Sequence, residues 1–297
     1  MTVGPKAFPV DGPISVQVEL QSSCVDIVGS PRADVVVTVT PSNAHRPSDR
    51  AAAENIRVEQ DGATISVAGA SRWNPFGSSG SVDVLIEVPR ASVVTAHLRY
   101  GSLRVAGPVG AVQAKIDYGD ASIEAADQLD LQGGHGEMRV GRVEGDADIT
   151  LASGSVRIGQ VGQGLRIKGG HGSVDVVAVG GHAEITTTGA IDIGTAGAVL
   201  TVRSAYGGVR VRDLVRGTAR IEASYGTVHV GVRRGTAVWL DASSKHGAVR
   251  SDLASDPGPA TDEETLELCV HTNHGDIIIQ RSGAPADLAP QNESLNA

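Results

Sequence analysis

A short unit recurs from about residue 100 to residue 280, and its glycine returns at a nearly fixed interval. In each unit one variable residue and the glycine precede an alternating apolar stretch, as in Tyr-Gly-Ser-Leu-Arg-Val at 100–105. The repeat glycines are Gly101, Gly119, Gly136, Gly154, Gly172, Gly189, Gly207, Gly226, Gly247 and Gly275. The first eight lie 17 to 19 residues apart, and the last two intervals are 21 and 28 residues. So short and constant a period is typical of stacked coils rather than of a globular fold.

Within each unit the pattern has a period of two, which is the period of a β-strand with one buried face. The residues two and four places after each glycine are apolar, as at Leu103 and Val105, and the residue between them is polar, as at Arg104. One coil alone cannot bury its apolar stripe, so stability must come from stacking on neighbouring coils. We predict an all-β fold: a single-stranded parallel β-solenoid (β-helix) of about ten coils with an N-terminal β-rich capping region.

Composition and charge agree with this fold and argue against some functions. The 297 residues include 38 Gly but only 3% aromatic residues, two Met and two Phe, whereas a conventional core of this length would use more Leu, Phe and Met. The formal net charge is −9 and the longest basic feature is Arg233-Arg234, so no basic patch suited to phosphate contacts is present. We predict no nucleic-acid partner.

The chain also shows no sign of a membrane or a cofactor. No charged segment followed by a long apolar run opens the sequence, and no window approaches the length of a membrane helix. We therefore expect a cytoplasmic protein without a membrane partner. Cys24 and Cys269 are expected to be reduced thiols that could pair only if the two ends of the chain met. No P-loop, dinucleotide fingerprint or Ser-His-Asp spacing is present, so no cofactor is expected.

We expect three regions along the chain: residues 1–90 as an N-terminal antiparallel β cap region, 91–281 as the solenoid and 282–297 as a disordered tail. A short helix is predicted to begin at Ser48 or Asp49, either of which could cap it. The long turn at 252–264 is expected to cover the other end of the rod. The strands predicted in the first region are Ile14–Leu20, Val35–Thr40, Ile56–Gln60, Thr64–Ala68 and Val82–Val88.

Several stretches carry a resemblance to a known family. They are the recurring Gly-[Asp/Ser]-Val-x-Val units, Gly-Thr-Ala-Val-Trp-Leu-Asp at 235–241, Lys-His-Gly-Ala-Val at 245–249 and His-Gly-Asp-Ile-Ile-Ile at 274–279. Across nearly its whole length the chain resembles the bacterial DUF4097 family of β-strand-repeat proteins, often labelled "putative adhesins", and most closely its cytosolic-looking actinobacterial members. The resemblance implies a β-solenoid and no catalytic motif. The adhesin label fits poorly, because nothing directs this chain out of the cell.

The position before each repeat glycine departs from that family, in which it is usually small and polar. All four tyrosines and four of the nine histidines of the chain stand in this position. In a solenoid these side chains would form a ladder along one edge, with one residue from each coil. The column reads Tyr100, Tyr118, His135, Ser153, His171, Thr188, Tyr206, Tyr225, His246 and His274.

Two interpretations of this column stay open. Stacked rings on adjacent strands could simply stiffen a corner, each pair contributing about 0.5–1.5 kcal/mol. Alternatively, the rings could bind a planar or aromatic small molecule, with Ser153 and Thr188 leaving room for it to nest. The predicted ligand-binding residues are Tyr100, Tyr118, His135, His171, Tyr206, Tyr225, His246 and His274.

Metal binding and catalysis are weaker alternatives. His246, His271 and His274 could in principle form a metal site, but such clusters are usually incidental, so no metal site is predicted. Asp120 and Glu137 occupy the same position on adjacent coils and could act as the carboxylate pair of a polysaccharide-active enzyme, by analogy of fold alone. Asp175 and Asp192 are further candidates in that scheme. The alternative is a solvated strand face on which acidic and basic residues alternate.

The sequence as a whole favours a non-catalytic binding protein. We expect the Tyr/His ladder to bind a planar or aromatic small molecule, and sequestration of a toxic natural product for self-resistance is a plausible purpose. The rival hypothesis is a structural or protein-interaction scaffold, adhesin-like, that forms a homo-oligomer.

Overall fold

The computed structural model describes residues 3–69, 80–253 and 263–282. In these residues the chain is almost entirely β, with a single short helix, α1 (Pro47–Glu54). The strands are β1 (Val3–Pro9), β2 (Ser15–Ser30), β3 (Asp34–Pro41), β4 (Arg57–Asp61), β5 (Thr64–Ala68), β6 (Val82–Pro89), β7 (Val93–Tyr118), β8 (Ala121–Val143), β9 (Ala147–Val161), β10 (Leu165–His171), β11 (Val174–Val179), β12 (His182–Thr187), β13 (Ile191–Ala196), β14 (Val199–Ser204), β15 (Val209–Leu214), β16 (Gly217–Tyr225), β17 (Val228–Val232), β18 (Thr236–His246), β19 (Val249–Ser251), β20 (Glu264–His274) and β21 (Ile277–Arg281).

The strands build a rod of stacked coils, each with one segment in each of two parallel ladders. In the first ladder β10 pairs with β12, β12 with β14 and β14 with β16, all in parallel. In the second ladder the order is β11, β13, β15 and β17, again all parallel. The long strands β7, β8 and β9 continue through the corner and contribute to both ladders. The predicted parallel β-solenoid is confirmed.

The core is one column of stacked aliphatic side chains that runs through the rod. Along each segment buried and exposed residues alternate, because successive strand side chains point to opposite faces. Ile149 pairs with Ile167 of the next coil, and both are fully buried. Each coil thus buries its apolar stripe against its two neighbours, as nearest-neighbour stacking requires.

The first 90 residues contribute two coils as well as covering strands. β2 pairs in parallel with β7 on one side and with β5 and β6 on the other, so the coil of β5 and β6 is outermost. Beyond it, β4 pairs antiparallel with β5, and β3 pairs antiparallel with both β6 and β1. The pairing here is therefore mixed, whereas the sequence suggested antiparallel strands only. The division of the chain at residue 91 stays a prediction.

These two coils were missed because they lack the repeat glycine. At the corner of β2 the residue in register with Gly101 is Ser23, which is buried. With these coils the described residues form twelve, against the expected ten or so. At a coil spacing of ~4.8 Å, the stack is about 53 Å long.

Helix α1 begins earlier than the sequence suggested, so capping by Ser48 or Asp49 is wrong. Its first residue is Pro47, and the N-cap residue Arg46 makes no side-chain capping bond. Proline suits the first helical position, because its fixed φ is helical and no hydrogen bond is lost there. The Asp49 carboxylate is buried instead and accepts a hydrogen bond from the amide of Ser81 (3.2 Å).

At the other end the last coil of the sequence is not the last coil of the rod. β20 lies between β16 and β18, and β21 lies between β17 and β19. The chain therefore forms the outermost coil first and then returns to insert the coil of β20 and β21 beneath it. This return explains the long final interval between repeat glycines. The predicted covering turn and tail lie outside the described residues, except at 252–253, 263–264 and 282.

Two smaller expectations concern the thiols and the membrane. Cys24 is exposed and Cys269 half-buried, and both are unpaired, in coils near opposite ends of the rod. Across the described ranges, no helix has both the length and the apolar character needed to cross a membrane.

We predict that the corner glycines are required for stacking. A Cβ on Gly154 would lie 1.8 Å from the carbonyl oxygen of Gly136 in the neighbouring coil, and φ of Gly154 is +134°. Gly154→Ala should therefore lower the free energy of unfolding by about 3 kcal/mol or more, measured by chemical denaturation.

Gly235→Ala is the matched control. Gly235 also has a positive φ, +80°, but a Cβ added to it would meet nothing within 4 Å. Its substitution should cost only about 1–2 kcal/mol, the cost of a left-handed backbone alone. Equal losses at the two positions would contradict a role for the inter-coil contact.

Candidate functional site

The corner that joins the two ladders sets the position of the ring column. Along the column most repeat glycines have φ between +123° and +149°, a region that other residues rarely adopt. Here the backbones of adjacent coils are in close contact, since a Cβ on Gly119 would lie 1.6 Å from the carbonyl oxygen of Gly101. Because most corners repeat this geometry, the residues before the glycines project from the same edge of the rod.

The first run of rings is formed by Tyr100, Tyr118 and His135. The ring centroids of Tyr100 and Tyr118 are 5.3 Å apart with 14° between their planes. Those of Tyr118 and His135 are 5.2 Å apart with 11° between the planes. The guanidinium of Arg99 lies 5.4 Å from the centroid of the Tyr100 ring, which adds a cation–π contact at the end of the run.

The second run contains Tyr206, Tyr225, His274 and His246, in that spatial order. Tyr206 and Tyr225 have centroids 5.7 Å apart with 8° between the planes. His274 then stacks on Tyr225 at 4.7 Å, with only 2° between the planes. His246 stacks on the other face of His274 at 4.6 Å. The inserted last coil places His274 between its neighbours, an order that sequence position alone does not give.

Between the two runs the column has two gaps, at Ser153 and Thr188, on either side of His171. Ser153 is in register with His135 on one side and with His171 on the other. The Thr188 hydroxyl lies 3.3 Å from Nδ1 of His171 and donates to the carbonyl of Gly170. Rings that flank a gap are two coils apart, about 9.6 Å between backbones. Each gap is thus wide enough for one additional planar group.

Tyr206 differs from the other tyrosines in its exposure. It is 75% exposed, whereas Tyr100, Tyr118 and Tyr225 are 46–49% exposed. On the preceding coil its neighbour is Thr188 rather than a ring, and its ring stacks only on Tyr225. One face of the Tyr206 ring is therefore open to solvent beside the gap.

A depression of about 630 Å³ lies beside this gap, on the outer face of the first ladder. It extends from Thr188 past the residues that precede Tyr206, Tyr225, His246 and His274. Its walls offer hydroxyl, guanidinium, ammonium and imidazole groups, and also the carboxylate of Glu222, which lies 3.2 Å from Nε of Arg203. The residues that carry these groups include Thr186, Thr188, Arg203, Ser224, Lys245 and His271.

The alternative metal site is not formed. His246 and His274 stack on each other, but His271 lies on the strand face, where its Nδ1 is 2.8 Å from the Ser243 hydroxyl. Its Nε2 is 3.8 Å from a carboxylate oxygen of Asp241. Among the described residues, no group of three or more His, Cys, Asp or Glu side chains could hold a metal ion.

The carboxylates considered for catalysis are occupied by other contacts. Asp120 accepts a hydrogen bond from the amide of Glu137 (2.7 Å), and Glu137 itself is paired with Arg139 and Arg157. Asp192 is 2.9 Å from Arg212, and this contact raises the pKa of the arginine. These contacts match the alternating charges of a solvated strand face.

The stacking itself can be measured by a double-mutant cycle. Because their rings stack, Tyr100→Ala and Tyr118→Ala should show a coupling free energy of about 0.5–1.5 kcal/mol in chemical denaturation. The control cycle combines Tyr100→Ala with Tyr206→Ala, whose rings belong to separate runs, and should give a coupling near zero. Similar coupling in both cycles would contradict a direct ring–ring interaction.

The chain is similar to one protein family and, at low identity, to several solved structures. A family model described as Toastrack DUF4097 matches residues 14–280. No curated protein matches the sequence.

Three similar solved structures have low identity. A "putative cell adhesion protein" from Clostridium sporogenes is 13% identical, with 94% of this chain and 99% of that chain covered and a TM-score of 0.20. A "putative adhesin" from Parabacteroides merdae is 11% identical, with coverages of 94% and 96% and a TM-score of 0.37. A "putative lipid binding protein" from Parabacteroides distasonis is 12% identical, with coverages of 92% and 96% and a TM-score of 0.34.

Proposed function

We propose that this chain, which belongs to the DUF4097 (Toastrack) family, owes its own activity to the ring column. The repeated coils resemble those of the family, whereas the ring column departs from the family pattern. The proposed function is non-catalytic binding of a planar or aromatic small molecule. The ligand inserts into the gap at Thr188 and stacks on the open face of Tyr206, with His171 on its other side. The 75% exposure of Tyr206 beside this gap is the observation that carries the proposal.

Ring stacking and edge hydrogen bonds would share the recognition. A planar ring in the gap would lie about 4.8 Å from each flanking coil, close to the 4.6–5.7 Å between the stacked rings of the protein. Its edge would face the adjoining depression, where Arg203 and Lys245 can donate hydrogen bonds to oxygen or nitrogen substituents. Walls with both apolar and polar groups, next to the open face of Tyr206, favour a flat molecule that carries polar groups.

Filling the gap tests the binding mode. Thr188→Tyr would supply the missing ring between His171 and Tyr206, so it should abolish binding of planar aromatic compounds in isothermal titration calorimetry. Thr188→Ser keeps both the hydroxyl and the gap, and its affinity should stay within about twofold of the wild type. Unchanged binding by Thr188→Tyr, in a variant that remains folded, would refute insertion at this position.

Removing the stacking surface gives a second test. Tyr206→Ala and Tyr225→Ala should each weaken binding, the first by about 3- to 10-fold, because one ring contact of roughly 0.5–1.5 kcal/mol is lost. Quenching of tyrosine emission provides the readout in a background with both tryptophans, Trp73 and Trp239, changed to Phe. Tyr100→Ala, in the other run, is the control and should bind normally. If the Tyr206 and Tyr225 variants also bind normally, the column is not the site.

Sequestration of a toxic natural product is the purpose we propose for such binding. A protein that holds a flat toxin without transforming it protects only in proportion to its own concentration. Expression in a sensitive host should therefore raise tolerance to a compound that binds in the titrations, while the Thr188→Tyr protein should give no protection. The cytoplasmic location and the lack of enzymatic activity remain predictions.

A further inference from the structure

The two ends of the rod differ in whether further strands cover the outermost coil. At the N-terminal end the outermost coil is followed by antiparallel β4, β3 and β1, and helix α1 packs on β3 and β6. At the C-terminal end β18 and β19 are outermost, and within the described part of the chain each pairs on one side only. Such an open β edge can pair with a further strand.

The apolar core continues up to this open edge. Val238, Leu240 and Ala242 are in register with Leu266, Leu268 and Val270 of the coil beneath, which are at most 2% exposed. The three residues of β18 are only half-buried, because no described coil follows them. Trp239, on the outer face of the same strand, is 80% exposed.

The backbone of β18 also has hydrogen-bonding groups on this side that pair with none of the described residues. Leu129 is an inward-facing residue of the first ladder, and its amide donates a hydrogen bond to the carbonyl of Asp146 in the next coil (3.0 Å). Followed from coil to coil, the strand register places Leu240 at the position equivalent to Leu129. The N–H and C=O groups of Val238, Leu240 and Ala242 therefore point at the open edge.

We propose that β18 is a dimerisation edge, on which a second copy of this chain docks end to end. The two β18 strands pair antiparallel about a twofold axis at Ala242, and the two rods join into one longer rod. This inference does not depend on the proposed ligand, because Ala242 on the axis belongs neither to the ring column nor to the depression, although Lys245 lines the depression.

Charge decides the register. With Ala242 on the axis, Trp239 lies opposite Lys245 of the second copy, which gives two cation–π contacts, and Asp241 lies opposite Ser243. Lys245 is also diagonal to Asp241 of the other strand. If the axis passed through Asp241, two carboxylates would face each other directly. If it passed through Leu240, Lys245 would lie opposite Gly235 of the second copy, before the start of β18, and its contact with Trp239 would be lost.

Proline substitution tests the edge without disturbing the coil beneath. Ala242→Pro removes an N–H that faces the open edge, so the coil should stay paired with β20 while dimerisation weakens by about 30-fold, through loss of the two hydrogen bonds across the axis. Light scattering over about a hundredfold range of protein concentration measures this, with a dimer at high concentration for the wild type. Asp241→Pro removes an N–H directed at β20 and should lower the thermal stability instead.

A second variant does not depend on proline. Lys245→Glu replaces the cation opposite Trp239 by an anion next to Asp241 of the second copy, and should also shift the protein to monomer. A wild-type protein that is monomeric at all concentrations, as it would be if residues 254–262 or 283–297 covered β18, overturns the proposal. A dimer that neither Ala242→Pro nor Lys245→Glu weakens overturns it as well.

Cross-linking fixes the register. In a background with Cys24→Ser and Cys269→Ser, Ala242→Cys should form an intermolecular disulfide, because residues opposite each other across the axis have Cα atoms about 5.5 Å apart. Ala237→Cys is the matched control, since its two copies would lie about 34 Å apart and should not cross-link. Cross-linking at 237 but not at 242 would overturn the proposed pairing.

Discussion

The whole rod depends on how closely adjacent backbones approach at the corners. At these turns the space for a side chain is taken by the carbonyl oxygen of the neighbouring coil, as at Gly172, where a Cβ would lie 1.6 Å from the oxygen of Gly154. Most of the repeat glycines also have positive φ, which favours glycine there, whereas the corner of β2 holds Ser23 instead. One contact thus sets the spacing of the coils and holds the same turn in register from one coil to the next.

The ring column is a consequence of that register. Once the glycine is fixed, the residue before it can point only along the edge of the rod, and rings on adjacent coils are brought to stacking distance. The core does not constrain this position, because the column lies outside the buried stripe. Its sequence is therefore free to combine rings with small residues, and the small residues at Ser153 and Thr188 produce the gaps on which the proposed binding depends.

Stacking of coils cannot bury the apolar residues of the two end coils. Each coil buries its apolar residues only if another coil follows, so each end needs a covering element or a partner. The antiparallel strands and helix α1 serve this need at the N-terminal end. At the other end the described residues leave half-buried Leu240 and exposed Trp239 on a strand that pairs on one side only. Within the described residues the rod thus has one covered end and one end with an open strand edge.

The sequence alone determined the parallel solenoid, the inward and outward faces of its strands and the alignment of the ring column, because these follow from local alternation and the recurring glycine. It did not determine the order of the coils at either end, the two coils without a glycine, or the position of His274 between Tyr225 and His246. Every coil offers its neighbours the same backbone edge and the same apolar stripe, so the local pattern cannot show which coil stacks on which. The tertiary structure decided that order, and with it which ring faces and which strand edge stay open.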